Sequence, residues 1–280
     1  MRMKRLYLGM VFCLALPLFY GCTTSNYGDD QFKLSMASSG KDVMWVPTKV
    51  EMADQMLALA KIRPGDRVYD LGSGDGVIPI EAAKKYGVQA VGIEYNPDLV
   101  KLSQRNAERA KVQDRVVFKQ GDIFVEDFSQ ATVLTLYLGE NLNTKLMPTI
   151  LKMPAGTRVV SNTFPMESWI PDQEVRIANG EMAFFWIVPA NIDGGWQWKG
   201  PSGWGDMRLL IRQKKQFFDG TLYQGNKRVA YFEDGRIRGS DLEFAFQYQN
   251  KKYDFKGQVH GSTMAGNLNN NPALAIAGKR

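Results

Sequence analysis

Asp70 stands immediately before Leu71 and the turn Gly72-Ser73-Gly74-Asp75-Gly76, whose glycines let backbone approach a ligand closely and aim helix N-terminal amides at it. Glu94 follows 22 residues after Gly72, and Asp122 lies within Gly121-Asp122-Ile123-Phe124. Each position offers a definite chemistry. A carboxylate at 94 can accept both hydroxyl protons of a ribose. One at 122 can accept from an exocyclic adenine amine, with Ile123 and Phe124 to sandwich the ring. Taken singly, each acid also has an ordinary reading: Asp70 as a cap of the turn, Glu94 as the partner of a Lys or Arg, Asp122 as a turn residue.

The glycine spacing separates two nucleotide-like ligands. It runs G-x-G-x-G, with Val77 where a dinucleotide fingerprint places its third small residue. Asp70 would set a carboxylate beside the two negative charges of a pyrophosphate, whereas a cationic ligand tolerates it. S-adenosylmethionine carries a sulfonium and an ammonium and no phosphate. These features favour it over NAD, although Glu94 alone does not distinguish the two.

The elements that must position these residues follow from periodicity. Thr48 and Glu51 form a capping-box pattern ahead of Met52, Met56 and Leu59, predicting a helix to Lys61. Strand 67–71 then enters the glycine turn, and a helix is expected over 78–86. Strand 89–93 ends at Glu94, and Asn96 caps a helix whose first residue is Pro97. Further strands are expected at 115–119, 132–138 and 157–161, with a helix near 143–152. Alternation of this kind implies a parallel sheet with right-handed crossovers and helices on both faces. Its ligands bind beyond the carboxyl ends of the strands, where Gly72 to Gly76, Glu94, Asp122 and Tyr137 all fall. Asn179-Gly180 between two apolar runs predicts a hairpin, hence an antiparallel strand at the end of the sheet.

Val-Tyr-Asp-Leu-Gly-Ser-Gly-Asp-Gly at 68–76, Gly-Ile-Glu-Tyr-Asn-Pro at 92–97 and Gly-Asp-Ile at 121–123 resemble class I S-adenosylmethionine-dependent methyltransferases, over about residues 44–190. Val-Pro-Thr at 46–48 and Thr-Leu-Tyr-Leu at 135–138 make the chain similar to a bacterial group related to mitochondrial lysine methyltransferases of the ATP synthase c-subunit type. Val77 departs from that group, which usually has Arg there. The resemblance implies that Asp70, Gly72, Ser73 and Gly74 hold the methionine part of the cofactor, Glu94 the ribose, and Asp122 with Ile123 the adenine, with Tyr95 also among the cofactor-binding residues. Methyl transfer is an in-line displacement, so it needs chiefly alignment of a nucleophile and a local base. Tyr137 and Glu140, after the fourth strand, are the expected acceptor-holding residues; a packed aromatic and a loop acid are the ordinary alternatives. Asn-Pro-Pro-Tyr is absent there, which argues against DNA bases. Trp45 either closes over the ligand or packs.

Composition narrows the rest. The 280 residues are 44% hydrophobic, enough for one large or two smaller cores. Arg2, Lys4 and Arg5 account for half of the formal charge of +6, and the remainder demands no nucleic acid. Both cysteines, Cys13 and Cys22, lie near the start and the single histidine is His260, which leaves the body without a thiol nucleophile, a metal cluster or a Ser/His/Asp triad.

Residues 1–21 read as a secretory signal, and Leu18, Gly21 and Cys22 resemble a lipobox, with Phe19 off pattern. An exported envelope lipoprotein, held to the membrane through Cys22, is therefore expected, with a tether over 22–43. From 191 onward short alternating runs predict a small antiparallel β module, a meander or barrel whose aromatics fill its core, with a loose tail from Asn267. The expected fold is thus α/β: a Rossmann-like class I methyltransferase sheet at 44–190, mostly parallel with an antiparallel last strand, then a β module at 191–280. The expected activity is methylation of a protein side chain, a lysine-like amine, or another small amine. Because S-adenosylmethionine is made in the cytoplasm, the alternative is an envelope lipoprotein that binds a nucleoside-like ligand or a protein without turnover. An NAD-dependent oxidoreductase is disfavoured by the glycine spacing and the hairpin.

Overall fold

The structure, a computed structural model, describes residues 41–177 and 180–280. The leader, Cys22 and all but the last three residues of the tether lie outside the described residues, as does Asn179 of the hairpin turn.

Seven strands form one sheet in the order β3-β2-β1-β4-β5-β7-β6. The central strands β1 (Arg67–Leu71), β4 (Val133–Leu136) and β5 (Arg158–Asn162) are buried almost throughout, as parallel strands covered on both faces must be. β2 (Gln89–Glu94) and β3 (Val116–Gln120) extend the sheet in parallel on one side. On the other side β7 (Met182–Ile187) runs antiparallel to β5, and β6 (Gln173–Arg176) pairs antiparallel with β7. The hairpin expected from Asn179-Gly180 is this β6–β7 pair.

Helices α1 (Val50–Leu59), α2 (Val77–Tyr86) and α3 (Pro97–Arg109) share one core with Val68, Ala90, Val116, Val133 and Val160. α4 (Glu140–Ile150) packs through Leu142, Leu146 and Ile150 on the opposite face, against Tyr69, Leu71, Leu134 and Val159. Asn96 caps α3, its side chain accepting from the Asp98 amide at 2.9 Å, with Pro97 at the first helical position as expected. The capping box at Thr48 does not form. α1 begins at Val50 with Lys49 as its N-cap, and no side chain caps it.

The remaining strands close into an antiparallel barrel: β8 (Gly194–Lys199), β9 (Asp206–Lys214), β10 (Phe217–Gln224), β11 (Lys227–Arg238), β12 (Asp241–Tyr248), β13 (Lys251–His260), β14 (Thr263–Leu268) and β15 (Asn271–Lys279). The expected loose tail is a correction: β14 and β15 complete the barrel, and Ala277, Gly278 and Lys279 pair with β8. The turn between them is made by Asn269 and Asn270, both left-handed at φ 55° and 54°. Aromatic rings fill the interior, among them Trp196, Trp198, Phe218, Phe232, Phe244 and Phe255. Glycine makes room for them, since a Cβ on Gly220 would stand 2.4 Å from the Phe232 ring.

The barrel is tied to the sheet. Asp172, ahead of β6, receives Arg236 of β11 at 2.9 Å on one carboxylate oxygen and the Ile187 amide at 2.9 Å on the other. Gln216 donates to the carbonyl of Ile170, and the Ala190 amide to that of Gly239.

Candidate active site

A cleft opens at the carboxyl ends of β1, β2 and β4. Asp70, Gly72, Ser73, Gly74, Glu94, Tyr95, Asp122, Ile123 and Tyr137 all line it. Residues 41–46 form another wall. There the indole of Trp45 lies over Gly74, so close that a Cβ on this left-handed glycine would stand 2.6 Å from Nε1.

Asp70 is 3% exposed, and Thr135 of the neighbouring β4 donates its hydroxyl to Oδ1 at 2.7 Å. Burial, and then the charges of Glu94 and Asp75, push its carboxyl up to about 7, against the single hydrogen bond from Thr135 that pulls it down. Asp75 is likewise buried, which lifts it to about 6, while it accepts from its own amide and that of Val77 in the first turn of α2.

The loop amides are spent within the protein. Those of Gly72 and Ser73 donate to the Ile93 carbonyl at 2.8 and 3.1 Å, and that of Gly76 to Ser73. The Gly74 amide donates to Oε2 of Glu94 at 2.9 Å, and the Asn96 amide to Oε1 at 2.8 Å. With Asp75 on the Val77 amide, the start of α2 is not the open anion cradle that a pyrophosphate requires. What remains is a set of acceptors suited to a ligand's cationic end. Ser73 Oγ is buried with no partner, a further group left for a ligand to satisfy.

Asp122 accepts from the Phe124 amide at 2.9 Å and from Lys41 at 2.6 Å, and these bonds, Lys41 first, hold its carboxyl below the usual range. Lys41 also lies over the Tyr95 ring at 5.5 Å. Ile123 lines the cleft but Phe124 does not; it is exposed, so the adenine sandwich expected from the pair is reduced to one side. Tyr137 stacks on Phe164 with centroids 6.1 Å apart, and burial followed by the charge of Glu181 raises its phenol.

Glu140 is not brought together with these. It is exposed in the first turn of α4 and lines a separate groove with Asn141, Thr144, Lys145 and Glu167. The reason is local: Gly139 at φ 97° turns the chain between Leu138, which faces the cleft, and α4. Sequence reasoning gave no role to Thr135, Asp75 or Lys41. Asp75 was visible in the glycine turn, and Thr135 two residues before Tyr137; Lys41 carried no signal.

The sheet order and the acid-lined cleft define a class I S-adenosylmethionine-dependent methyltransferase. In agreement, an RNA methyltransferase from Salinibacter ruber, solved in complex with S-adenosyl-L-homocysteine, is 47% identical and superposes with a TM-score of 0.51, over 52% of this chain and 96% of that one. A protein-lysine N-methyltransferase of Saccharolobus islandicus (strain REY15A) is 40% identical over 142 residues, half of this chain and 88% of that protein. The adenine nucleotide translocase lysine N-methyltransferase of Mus musculus is 34% identical over 131 residues, and the chain spans 56% of its length. Residues 70–173 match the ANTKMT methyltransferase domain, and the chain belongs to that family.

Proposed function

We propose that this methyltransferase acts on the side-chain amine of lysine in a protein, with the cofactor seated against Asp70, Gly72, Ser73, Gly74, Glu94, Tyr95, Asp122 and Ile123. The observation that carries the cofactor seat is the partner-poor, buried Asp70 beside Asp75 and Glu94, a cluster of acids in want of a cation. Lysine as acceptor is supported by the relative of which the chain covers 88%, a protein-lysine N-methyltransferase. When bound, S-adenosylmethionine supplies a methyl group on a positively charged sulfur, ready for transfer to a nucleophile.

The protein's part is to bind and align. Asp70 faces the ammonium end, Glu94 the ribose hydroxyls while it steadies the Gly74 and Asn96 amides, and Asp122 exchanges Lys41 for the adenine amine. Trp45 covers the loop and keeps water from the sulfonium, and Tyr137 forms the wall toward the acceptor. An amine must arrive without its proton, which leaves to water before the nitrogen attacks.

A second reading, an RNA acceptor, is favoured by the Salinibacter structure. One experiment separates the readings: methyl-labelled cofactor is followed into cell extract fractionated into protein and RNA. Label recovered as methyl-lysine supports the proposal, and label confined to RNA replaces it. Absence of label from both leaves binding without turnover as the activity of the cleft.

We also propose that the protein is exported and anchored in the cell envelope through a lipidated Cys22, supported by the basic and apolar leader. Cys22→Ser should then move the protein from the membrane to the soluble fraction, and an unchanged membrane fraction refutes the lipid anchor.

A further inference from the structure

Next to Tyr137, which lines the cleft, the end of β5 and the residue ahead of β7 assemble a second polar cluster. Asn162, the last residue of β5, donates to Oε2 of Glu181 at 3.1 Å, and the hydroxyl of Thr163 reaches the same oxygen at 3.3 Å. The strand register sets this up: Leu136 of β4 lies opposite Ser161 of β5, so the residues that follow, Tyr137 and Asn162, leave the sheet side by side. The Thr163 amide then bonds the Met182 carbonyl at 2.7 Å, which draws Glu181 in over the strand ends.

Two features indicate a built site. Thr163 is held at φ 62°, a left-handed conformation that a β-branched residue rarely adopts and that is retained where surroundings enforce it. Asn162 is fully buried, and its amide oxygen has no partner although its nitrogen donates to both Glu181 and the sulfur of Met52. An orphaned acceptor in so closed a place calls for a donor. The groups gathered here, the Glu181 carboxylate, the Asn162 amide oxygen and the hydroxyls of Thr163 and Tyr137, can all accept hydrogen bonds. Phe164, stacked on Tyr137, adds an apolar wall. Its carbonyl is tied to the buried Asn143 at 2.9 Å and to Ser161 at 2.6 Å, so the ring is fixed from behind.

We propose that Glu181, with Asn162 and Tyr137, is the subsite that receives the acceptor amine, its aliphatic stem lying along Tyr137 and Phe164. The assignment rests on the reading of the chain as an amine methyltransferase and names the residues that select the amine. In the transfer the nitrogen lone pair forms the new bond to the methyl carbon as the carbon–sulfur bond breaks and its electrons return to sulfur. Positive charge thereby passes from sulfur to nitrogen, and a carboxylate beside the nitrogen stabilises the charge as it arrives. The proton that the ammonium gives up beforehand goes to water. Glu181 holds and orients the amine, a task that Glu140, in its separate groove, is not placed to perform.

The test compares the wild-type protein with Glu181→Gln, using Glu174→Gln on the exposed β6 as the control carboxylate. Saturation-transfer NMR on the S-adenosylhomocysteine complex uses n-butylammonium as the probe and 1-butanol as its neutral counterpart. Wild type and Glu174→Gln should prefer the cation, and Glu181→Gln should lose that preference while still binding the alcohol. Labelling of protein lysine in extract should fall at least tenfold in Glu181→Gln, with affinity for S-adenosylhomocysteine changed less than twofold. A Glu181→Gln protein that keeps both the cation preference and the labelling rate overturns the assignment while leaving the amine reading standing. A wild type that labels no lysine overturns the amine reading itself, and the subsite with it. Should Glu181→Gln fail to bind S-adenosylhomocysteine, Tyr137→Phe decides: a threefold or greater loss of labelling supports the subsite and an unchanged rate refutes it.

Discussion

A buried carboxyl poised near neutrality makes cofactor binding a proton-releasing event. Asp70 is pushed up to about 7 by burial and by its acidic neighbours, so at about pH 6 it holds about 0.9 of a proton. At about pH 8 it holds about 0.1. A ligand ammonium set against it favours the ionised form and drives the proton off. Titration with S-adenosylhomocysteine, which keeps the ammonium, should therefore release about 0.9 of a proton from Asp70 at about pH 6 and about 0.1 at about pH 8. Asp75, lifted to about 6, adds at most about half a proton at the lower pH.

The assay is calorimetry in buffers of different ionisation enthalpy, where the slope of apparent heat against buffer enthalpy counts the protons. Asp70→Asn should remove most of the slope at about pH 6 and weaken binding by tenfold or more, since a charge-assisted hydrogen bond is worth about 1.5–3 kcal/mol. The same group sets the pH dependence of the free protein. Between about pH 4 and pH 7 the unfolded chain has lost this proton and the folded one keeps it, so stability falls as pH rises through that window. The full effect is on the order of 4 kcal/mol, and Asp70→Asn should flatten it. A buffer-independent heat at about pH 6, or an identical slope in Asp70→Asn, would refute the reasoning.

Three further substitutions probe what holds the cleft in place. Gly72→Ala puts a Cβ 2.4 Å from Leu138 at φ 76°, which should cost about 2 kcal/mol in urea unfolding and abolish measurable S-adenosylhomocysteine affinity. Arg158 bonds Asp66, the Ala60 carbonyl at 3.1 Å and the Lys61 carbonyl at 2.7 Å, with both charged partners buried. Arg158→Met should therefore cost about 3 kcal/mol by denaturant titration while leaving cofactor affinity unchanged, because the pair sits at the opposite end of the strands. Asp172→Ala strips the counter-charge from Arg236, whose Nε already lacks a partner, and leaves the Ile187 amide unpaired. A loss of about 3 kcal/mol with faster proteolysis between sheet and barrel is expected, and equal protease resistance would show that the pair does not fix the barrel.

Which parts of this were legible in the sequence depends on how local their causes are. The central strands could be read because burial on both faces demands runs such as Val68 to Leu71, and α3 because Asn96-Pro97 encodes its own start. The cleft-lining acids were legible because each falls at or just beyond the carboxyl end of a strand. Misreadings arose where turn chemistry has two outcomes. The short runs from 191 onward do not show where one strand ends, and Asp234 at φ 58° makes a bulge through which β11 continues. The Asn-rich stretch at 267–271 looks like a tail, but two asparagines adopt φ > 0 almost as glycine does and turn β14 into β15. Contacts between distant segments were invisible. Lys41 meets Asp122 across 81 residues, Thr135 meets Asp70 across 65, and Glu181 meets Asn162 only once β7 has inserted beside β5.

The acids of the cleft also bear on which adenosine-bearing ligand this sheet would favour. Asp70 and Asp75 are buried beside the half-buried Glu94, and the charges of Glu94 and Asp75 disfavour ionisation of Asp70. A pyrophosphate would add two more negative charges to a rim whose loop amides are already committed to Ile93 and Glu94. A sulfonium and an ammonium bring the charge that the rim lacks, so the ligand's attraction and the acids' mutual repulsion are relieved by the same event. Specificity of this kind is a difference between relief and added strain. It predicts that Asp70→Asn, by removing one negative charge from the rim, narrows the preference for S-adenosylhomocysteine over NAD by at least tenfold in competitive calorimetry. An undiminished preference would place the discrimination elsewhere, in the shape of the Trp45 wall.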